Sequence, residues 1–219
     1  MHTIPGALLC VDAVAYAPHR QIDVKALGVD FYSFSWYKVY GPHLSILYAS
    51  PAGLKKTESL GHYFKSSTTL EDKLGLAGAS YELVASLPSL VSYFSPSITE
   101  SFAAIEKHEY DLQKTLLDYL NGKLGVTIIG EKDPDTKKRV STISFIVQGW
   151  KSQDLVERID EVSNGEMGIR WGGFYSVRLV GEYLGLGQDG VVRVSMVHYN
   201  TGMSPFSICF KVLLLSGEP

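Results

Sequence analysis

Leu8-Leu9-Cys10-Val11 is apolar at every position and closes on Asp12, only a few residues into the chain. A short uninterrupted apolar run reads as a strand buried on both faces, the kind that parallel sheets contain. A carboxylate at the carboxyl end of such a strand stands where open parallel sheets keep their ligand groups. The chain therefore reads as one that begins in the middle of an α/β unit. Met1 to Gly6 offers no basic segment or convincing cleavage site, and Asp12 interrupts the apolar stretch, so a signal peptide is not expected. No stretch is long enough and free enough of charge to cross a bilayer.

Two more strands follow in the same half. A loop through Pro18-His19-Arg20 and one or two helical turns over Asp23 to Leu27 lead to Phe31-Tyr32-Ser33-Phe34-Ser35, a strand that delivers Trp36-Tyr37-Lys38. After the turn Tyr40-Gly41-Pro42, Leu44 to Ala49 reads as a third strand closed by Pro51. From Lys55 to Gly78 the periodicity breaks into Ser, Thr, Gly and Lys, as expected of a surface segment or lid. Tyr81, Val84, Leu87 and Val91 then form a helical apolar stripe. Ser97 and Glu100 make a capping box, behind which Phe102, Ile105, Leu112, Leu116 and Leu120 share one face until Asn121-Gly122 stops the helix.

The remainder has a different rhythm. Val126 to Ile129 and Val140 to Val147 read as strands around the charged turn Asp133 to Lys138. Ser152 is expected to cap a helix with Leu155, Ile159 and Val162 inward, ended by Asn164-Gly165. A further helix is expected over Tyr175 to Leu184, and Val191 to Val197 alternates as a last strand. The organisation predicted is a sheet-bearing portion over 1–96, a linking helix over 97–122, a small α+β domain with a mainly antiparallel sheet over 123–201, and an atypical apolar tail over 202–219. That tail has no helical polar face and reads as a replaced terminus or a short edge strand.

Composition narrows the partners. Lys and Arg total 20 against 23 acidic residues, a net charge of -3 without long runs of either sign, so neither nucleic acid nor an anionic membrane is an expected partner. Two cysteines, Cys10 and Cys209, make no disulfide framework; each sits in an apolar run that suggests a buried free thiol in a reducing, cytoplasmic setting. No metal-ligand spacing stands out, and no Gly-x-Gly-x-x-Gly follows the first strand, which argues against a dinucleotide-binding domain.

Asp12 and Lys38 are the residues with most chemistry. A lysine at a strand end can form a Schiff base with an aldehyde cofactor, and a carboxylate opposite it can keep that cofactor's pyridine nitrogen protonated. Taken alone, the pair has a plainer reading, because an Asp after a strand is commonly a helix cap and a Lys is commonly solvated. The longer pattern adds to it. Val11-Asp12-Ala13, Ala17-Pro18-His19-Arg20 with Asp23-Val24, and Gly28 through Pro42 resemble the cofactor region of the class V aminotransferase and cysteine desulfurase-like family. Val192-Arg193-Val194-Ser195-Met196-Val197-His198-Tyr199-Asn200-Thr201 matches a second family segment, and with weaker similarity between, the resemblance covers about residues 5 to 201.

The resemblance implies an α/β chain with part of the fold type I architecture of pyridoxal phosphate-dependent transferases. A mixed, mostly parallel sheet remnant of the large domain is followed by the small α+β domain. It implies pyridoxal 5'-phosphate as cofactor, with binding impaired if the phosphate-gripping part of the fold is lacking. Asp12 matches the aspartate under the pyridine nitrogen, Lys38 the lysine that forms the internal aldimine and then shuttles protons, and Ser35 a hydroxyl on the phosphate. Tyr37 stands where desulfurases usually carry a histidine near that phosphate. Arg193 matches the arginine that clamps the substrate carboxylate, and Arg170 lies in a loop that approaches the same site in relatives. A homodimer or a complementing partner is also implied.

Departures qualify the inherited chemistry. Ala15 replaces a glutamine near the cofactor's phenolic oxygen. Tyr175 stands where one desulfurase group has its persulfide-forming cysteine, and a phenol does not accept sulfane sulfur as a thiolate does. Cysteine desulfuration by that route is not expected. The family's N-terminal portion, including its phosphate loop, has no counterpart ahead of Leu8. Two functions follow: a pyridoxal phosphate-dependent aminotransferase or lyase acting at Cα or Cβ of an amino acid, or a truncated noncatalytic remnant or accessory subunit.

Overall fold

The computed structural model describes residues 4–59, 67–75 and 78–201, and the chain divides into two compact units, 1–103 and 104–219. The apolar tail and Cys209 lie outside the described residues, as does part of the segment from Lys55 to Gly78. The described part of that segment holds the end of one short helix and the whole of another, and none of its residues is buried.

In the first unit, β1 (Cys10–Asp12), β2 (Phe31–Ser35) and β3 (Ser45–Ala49) form a mixed sheet in the order β1-β2-β3. β1 runs parallel to β2, and β3 antiparallel to it. The crossover between β1 and β2 contains α1 (Val24–Leu27). Asp23 Oδ1 caps α1 by accepting from the Lys25 and Ala26 N–H groups, and Gly28 at φ 64° ends it. Alternation puts Val11, Tyr32, Phe34 and Tyr48 on one face, where they pack with buried Ala13 and Val29. Asp30 ties the segments together: its carboxylate accepts from Leu9 N–H at 2.8 Å and from the Ser50 hydroxyl at 3.1 Å. Ser50 Oγ in turn accepts from Gly53 N–H at the start of α2 (Pro51–Lys56).

Three short helices follow, α3 (Leu70–Leu74), α4 (Tyr81–Ser86) and α5 (Pro88–Tyr93). The expected stripe is wrong in phase here. Tyr81, Val84 and Val91 are exposed, while Leu83, Leu87 and Leu90 are partly covered and Phe94 is buried. Leu83, Leu87, Leu90 and Phe94 share one helical face that runs on across Pro88, the first residue of α5, so this second stripe is the covered one and Tyr81, Val84 and Val91 lie off it.

The long helix α6 (Ile98–Asn121) begins with Ser97 Oγ accepting from Glu100 N–H at 3.1 Å, and Phe102, Ile105, Leu112, Leu116 and Leu120 are all buried, as its periodicity predicts. In the second unit, β4 (Val126–Ile129), β5 (Thr142–Val147), β6 (Arg170–Gly172) and β7 (Val191–Ser195) form an antiparallel sheet in the order β4-β5-β7-β6. Ile128, Ile143, Phe145, Val192 and Val194 face α7 (Ser152–Ser163) and the second half of α6 in one core.

The α7 cap comes from an unexpected residue. Ser152 is the helix's first residue and is itself buried, donating from its hydroxyl to Gly190 O. Asp189 supplies the acceptor, taking the Ser152 N–H at 2.8 Å and the Gln153 N–H at 3.4 Å. The helix expected over Tyr175 to Leu184 contracts to a wide π-type turn at Leu179–Tyr183. Among the described residues, no helix is long and apolar enough to cross a membrane.

Candidate active site

The first group of predicted residues gathers at one end of the mixed sheet. Parallel pairing sets Asp12 opposite Ser33, and Ser35 stands two residues farther along β2, so all three point to the same face. That face also carries Cys10, which is exposed. The expectation of a buried thiol fails because its apolar run is covered on one face only. One oxygen of Asp12 accepts from Val14 N–H at 3.0 Å, as an Asp beginning a turn does, and its other oxygen has no bond with a described residue.

From Ser35 the chain winds into a 3-10 turn, Trp36–Lys38, closed by Val39 and Gly41 N–H groups donating to Trp36 O. Tyr40, at φ 64°, sends its hydroxyl to Pro18 O at 3.1 Å and so ties this turn to the loop after β1. Gly41 packs closely here, since a Cβ there would stand 3.1 Å from the Trp36 carbonyl oxygen. Lys38 ends the turn exposed, and its amine makes no bond with any described side chain or carbonyl. Tyr37 is half exposed and stacks on His43 with ring centroids 5.2 Å apart. Ser35 makes no capping bond. The donor set is thus a primary amine, a carboxylate with an open oxygen, and a hydroxyl at one sheet end.

A cavity of about 390 Å³ lies in the same unit, lined by Arg20, Ile22, Phe34, Leu90, Phe94 and others. Phe34 alternates with Ser33 and Ser35, so this cavity opens on the face away from them.

The second group lies in the second unit. Arg170 was expected in a loop; it is instead the first residue of β6, directly opposite Arg193 of β7. β6 has only three residues and pairs with a strand far away in sequence, so local periodicity does not announce it. Ser144 of β5 stands opposite Arg193 on its other side. Ser144, Arg193 and Arg170 therefore form one row across three strands, on the sheet face opposite the core. The Arg193 guanidinium lies over the Phe174 ring, its carbon 3.8 Å from the centroid. Phe174 and Tyr175 reach this position with φ of 47° and 64°, after Gly172-Gly173. Partial burial, and next the Arg170 charge, hold the Arg193 pKa below its ordinary value. Its Nε–H is buried without a hydrogen-bond partner.

Tyr175 is fully exposed. Phe174 and Ser144 escape a reading by motif, because their importance comes from pairing and stacking; the double glycine before Phe174 was the available local signal. Among the described residues, no cluster of His, Cys, Asp or Glu is placed to hold a metal ion.

The aminotransferase class-V family model matches residues 1–203. An aminotransferase-like protein, FGM3, of Gibberella zeae is 56% identical over 201 residues, covering 92% of this chain and 50% of that protein. A cysteine desulfurase-like protein, ustD, of Aspergillus flavus is 42% identical, covering 97% of this chain and 48% of its own length. The apo cysteine desulfurase structure from Thermococcus onnurineus superimposes with a TM-score of 0.77 at 24% identity, covering 97% of this chain and 54% of the other. That likeness is one of fold, and it identifies the α/β architecture as part of fold type I. The chain spans about half the length of the relatives it matches. With the match running through both units, the chain belongs to the class-V aminotransferase family.

Proposed function

We propose that this chain carries cofactor and substrate residues of a pyridoxal 5'-phosphate-dependent transformation of an amino acid, by transamination or by lyase chemistry at Cα or Cβ. The observation that carries the reading is the convergence of Asp12, Ser35 and the Lys38 turn at one end of parallel β1 and β2. Their donor set fits the cofactor: an amine for its aldehyde, a carboxylate oxygen for its pyridine N–H, and a hydroxyl for its phosphate. When bound, pyridoxal 5'-phosphate supplies an electron sink for negative charge developing at the substrate Cα. Lys38 would hold the cofactor through its amine and would then move the proton at the substrate Cα. Asp12, through the oxygen not bonded to Val14, would accept from the pyridine N–H, while Ser35 and Tyr37 would donate to the phosphate. Arg193 binds the substrate carboxylate through in-plane N–H donors, with Phe174 stacked on its face.

The exposure of both Asp12 and Lys38 favours a second reading, a noncatalytic remnant or accessory subunit of such an enzyme. Borohydride reduction after mixing the chain with pyridoxal 5'-phosphate, followed by peptide mapping, separates the two. Selective modification of Lys38, lost in Lys38→Arg, is the result expected. Modification scattered over surface lysines with no preference for Lys38 would sink the cofactor assignment. A cysteine desulfurase working through a loop thiol is not proposed, because Tyr175 stands in that loop.

A further inference from the structure

We propose that the row Ser144-Arg193-Arg170 selects an amino acid carrying a second anionic group on its side chain, a carboxylate or an equivalent oxyanion. The inference rests on the reading above, in which Arg193 takes the α-carboxylate, and it names the substrate class of that same site.

Register carries the argument. β5, β7 and β6 are consecutive neighbours, so Ser144, Arg193 and Arg170 stand side by side on one face, their backbones at the strand spacing of ~4.8 Å. Like charges directly opposite on neighbouring strands repel, and a fold keeps such a pair at a cost unless an anion comes between. No ion pair among the described residues involves either arginine. The surrounding face carries the hydroxyls of Thr127, Thr142 and Ser195 together with apolar Ile129, Ile146 and Val191, and no carboxylate. The perturbed Arg193 agrees with this setting, since burial and Arg170 are the causes and no acid is among them.

One carboxylate neutralises one of the two charges. Phe174 covers a face of the Arg193 guanidinium and leaves its edge as the donor, which suits a carboxylate lying in the guanidinium plane. Arg170 remains beside it with its own donors unspent. In a dicarboxylic amino acid of four or five carbons, the two carboxyl carbons are two or three carbons apart, comparable with the strand spacing of ~4.8 Å. Such a ligand places one anion on each arginine, with the Ser144 hydroxyl as an added donor at the α-carboxylate.

The test needs no cofactor. The full chain is titrated with aspartate, glutamate and alanine, and dissociation constants are read from chemical-shift changes. The parent is expected to bind aspartate or glutamate at least ~10-fold more tightly than alanine, where a tenfold ratio corresponds to about 1.4 kcal/mol. Arg170→Gln should bring the acidic and neutral constants within about threefold of each other, and Arg170→Lys should restore part of the gap, because a point charge replaces the fork. Arg193→Gln should weaken all three ligands. Equal constants for aspartate and alanine in a parent still sensitive to Arg193→Gln would overturn the second-anion proposal and leave the carboxylate reading standing. Selectivity that survives Arg170→Gln would overturn it equally. Binding indifferent to Arg193→Gln, or no saturable binding of any ligand, would overturn the reading beneath it. Circular dichroism of each variant confirms that lost binding is not lost fold.

Discussion

Gly190 joins the cap residue Asp189 to the start of β7, and it lies at φ 71°, where L side chains are strained. A Cβ added there would stand within 2.6 Å of Gly172 Cα, which belongs to β6 and cannot move without disturbing Arg170 in the same strand. Strain and backbone crowding act together. Gly190→Ala is expected to destabilise the second unit by roughly 2–5 kcal/mol. Urea unfolding followed by tryptophan fluorescence measures it, and a change within error of zero would mean that the approach of β6 to Gly190 is looser than described. His198 gives a residue-scale prediction of a different kind. Burial pushes its pKa below the ordinary value, with His108 adding to the depression and Glu109 opposing it. The folded state therefore binds its proton less readily than the unfolded chain does, so the stability contribution is present above the unfolded pKa and is lost as pH falls from there through the lower folded pKa. Comparison of the parent with His198→Gln between about pH 7 and pH 5 should show the steeper loss of stability in the parent. Identical slopes would remove His198 from the account of acid sensitivity.

At the scale of elements, α7 depends on a carboxylate 37 residues away. Asp189→Ala leaves two N–H groups of its first turn without their acceptor and is expected to cost about 0.5–2 kcal/mol, whereas Asp189→Asn keeps an acceptor and should cost less. Equal losses for the two variants would argue that charge, not acceptance, is what matters. The distance of that cap explains why Ser152 was the natural sequence candidate: a helix start is legible when its cap is adjacent, as at Asp23 and Ser97, and illegible when another element supplies it. The same distinction separates the site residues. Asp12 closes an apolar run and is the last residue of β1, so its placement could be read directly, whereas Lys38 lies beyond the end of β2, at the close of a 3-10 turn that strand periodicity does not announce. Arg170 begins a three-residue strand that ends in Gly172, and only pairing with β7 makes it a strand at all. Cys10 shows the limit from another side, since an apolar run announces a strand but not whether both of its faces are covered. At α4 and α5 two apolar stripes overlap, and the one through Leu83, Leu87, Leu90 and Phe94 is covered, which periodicity alone does not decide.

On the scale of the whole molecule, the two units differ in how completely they bury what they contain. The second unit sets α7 and part of α6 against its sheet, and Leu116, Leu117, Ile143, Phe145, Ile159 and Val192 are fully enclosed. Its core predicts a conventional penalty: Leu116→Ala should cost about 2–5 kcal/mol through lost burial and the cavity left behind. The mixed sheet of the first unit is different. Among the described residues β1 is an edge strand, and the face holding Cys10, Asp12, Ser33 and Leu47 leaves Cys10, Asp12 and Leu47 exposed; Leu47 retains 42% of its accessible surface. Leu8, Ile46, Tyr37 and Val91 add exposed apolar area in the same unit. An unpaired edge beside exposed apolar side chains favours association. The isolated 24.1 kDa chain is therefore expected to form larger species as concentration rises, and Leu47→Lys, which places a charge on the open face without touching the core, should shift that equilibrium toward the monomer. Sedimentation velocity over a wide concentration range, paired with a pyridoxal 5'-phosphate titration, tests the surface and the cofactor together. A monomer at every concentration that also binds the cofactor tightly and stoichiometrically would show that the exposed face needs no cover, and that the donors of this chain alone suffice to hold the phosphate.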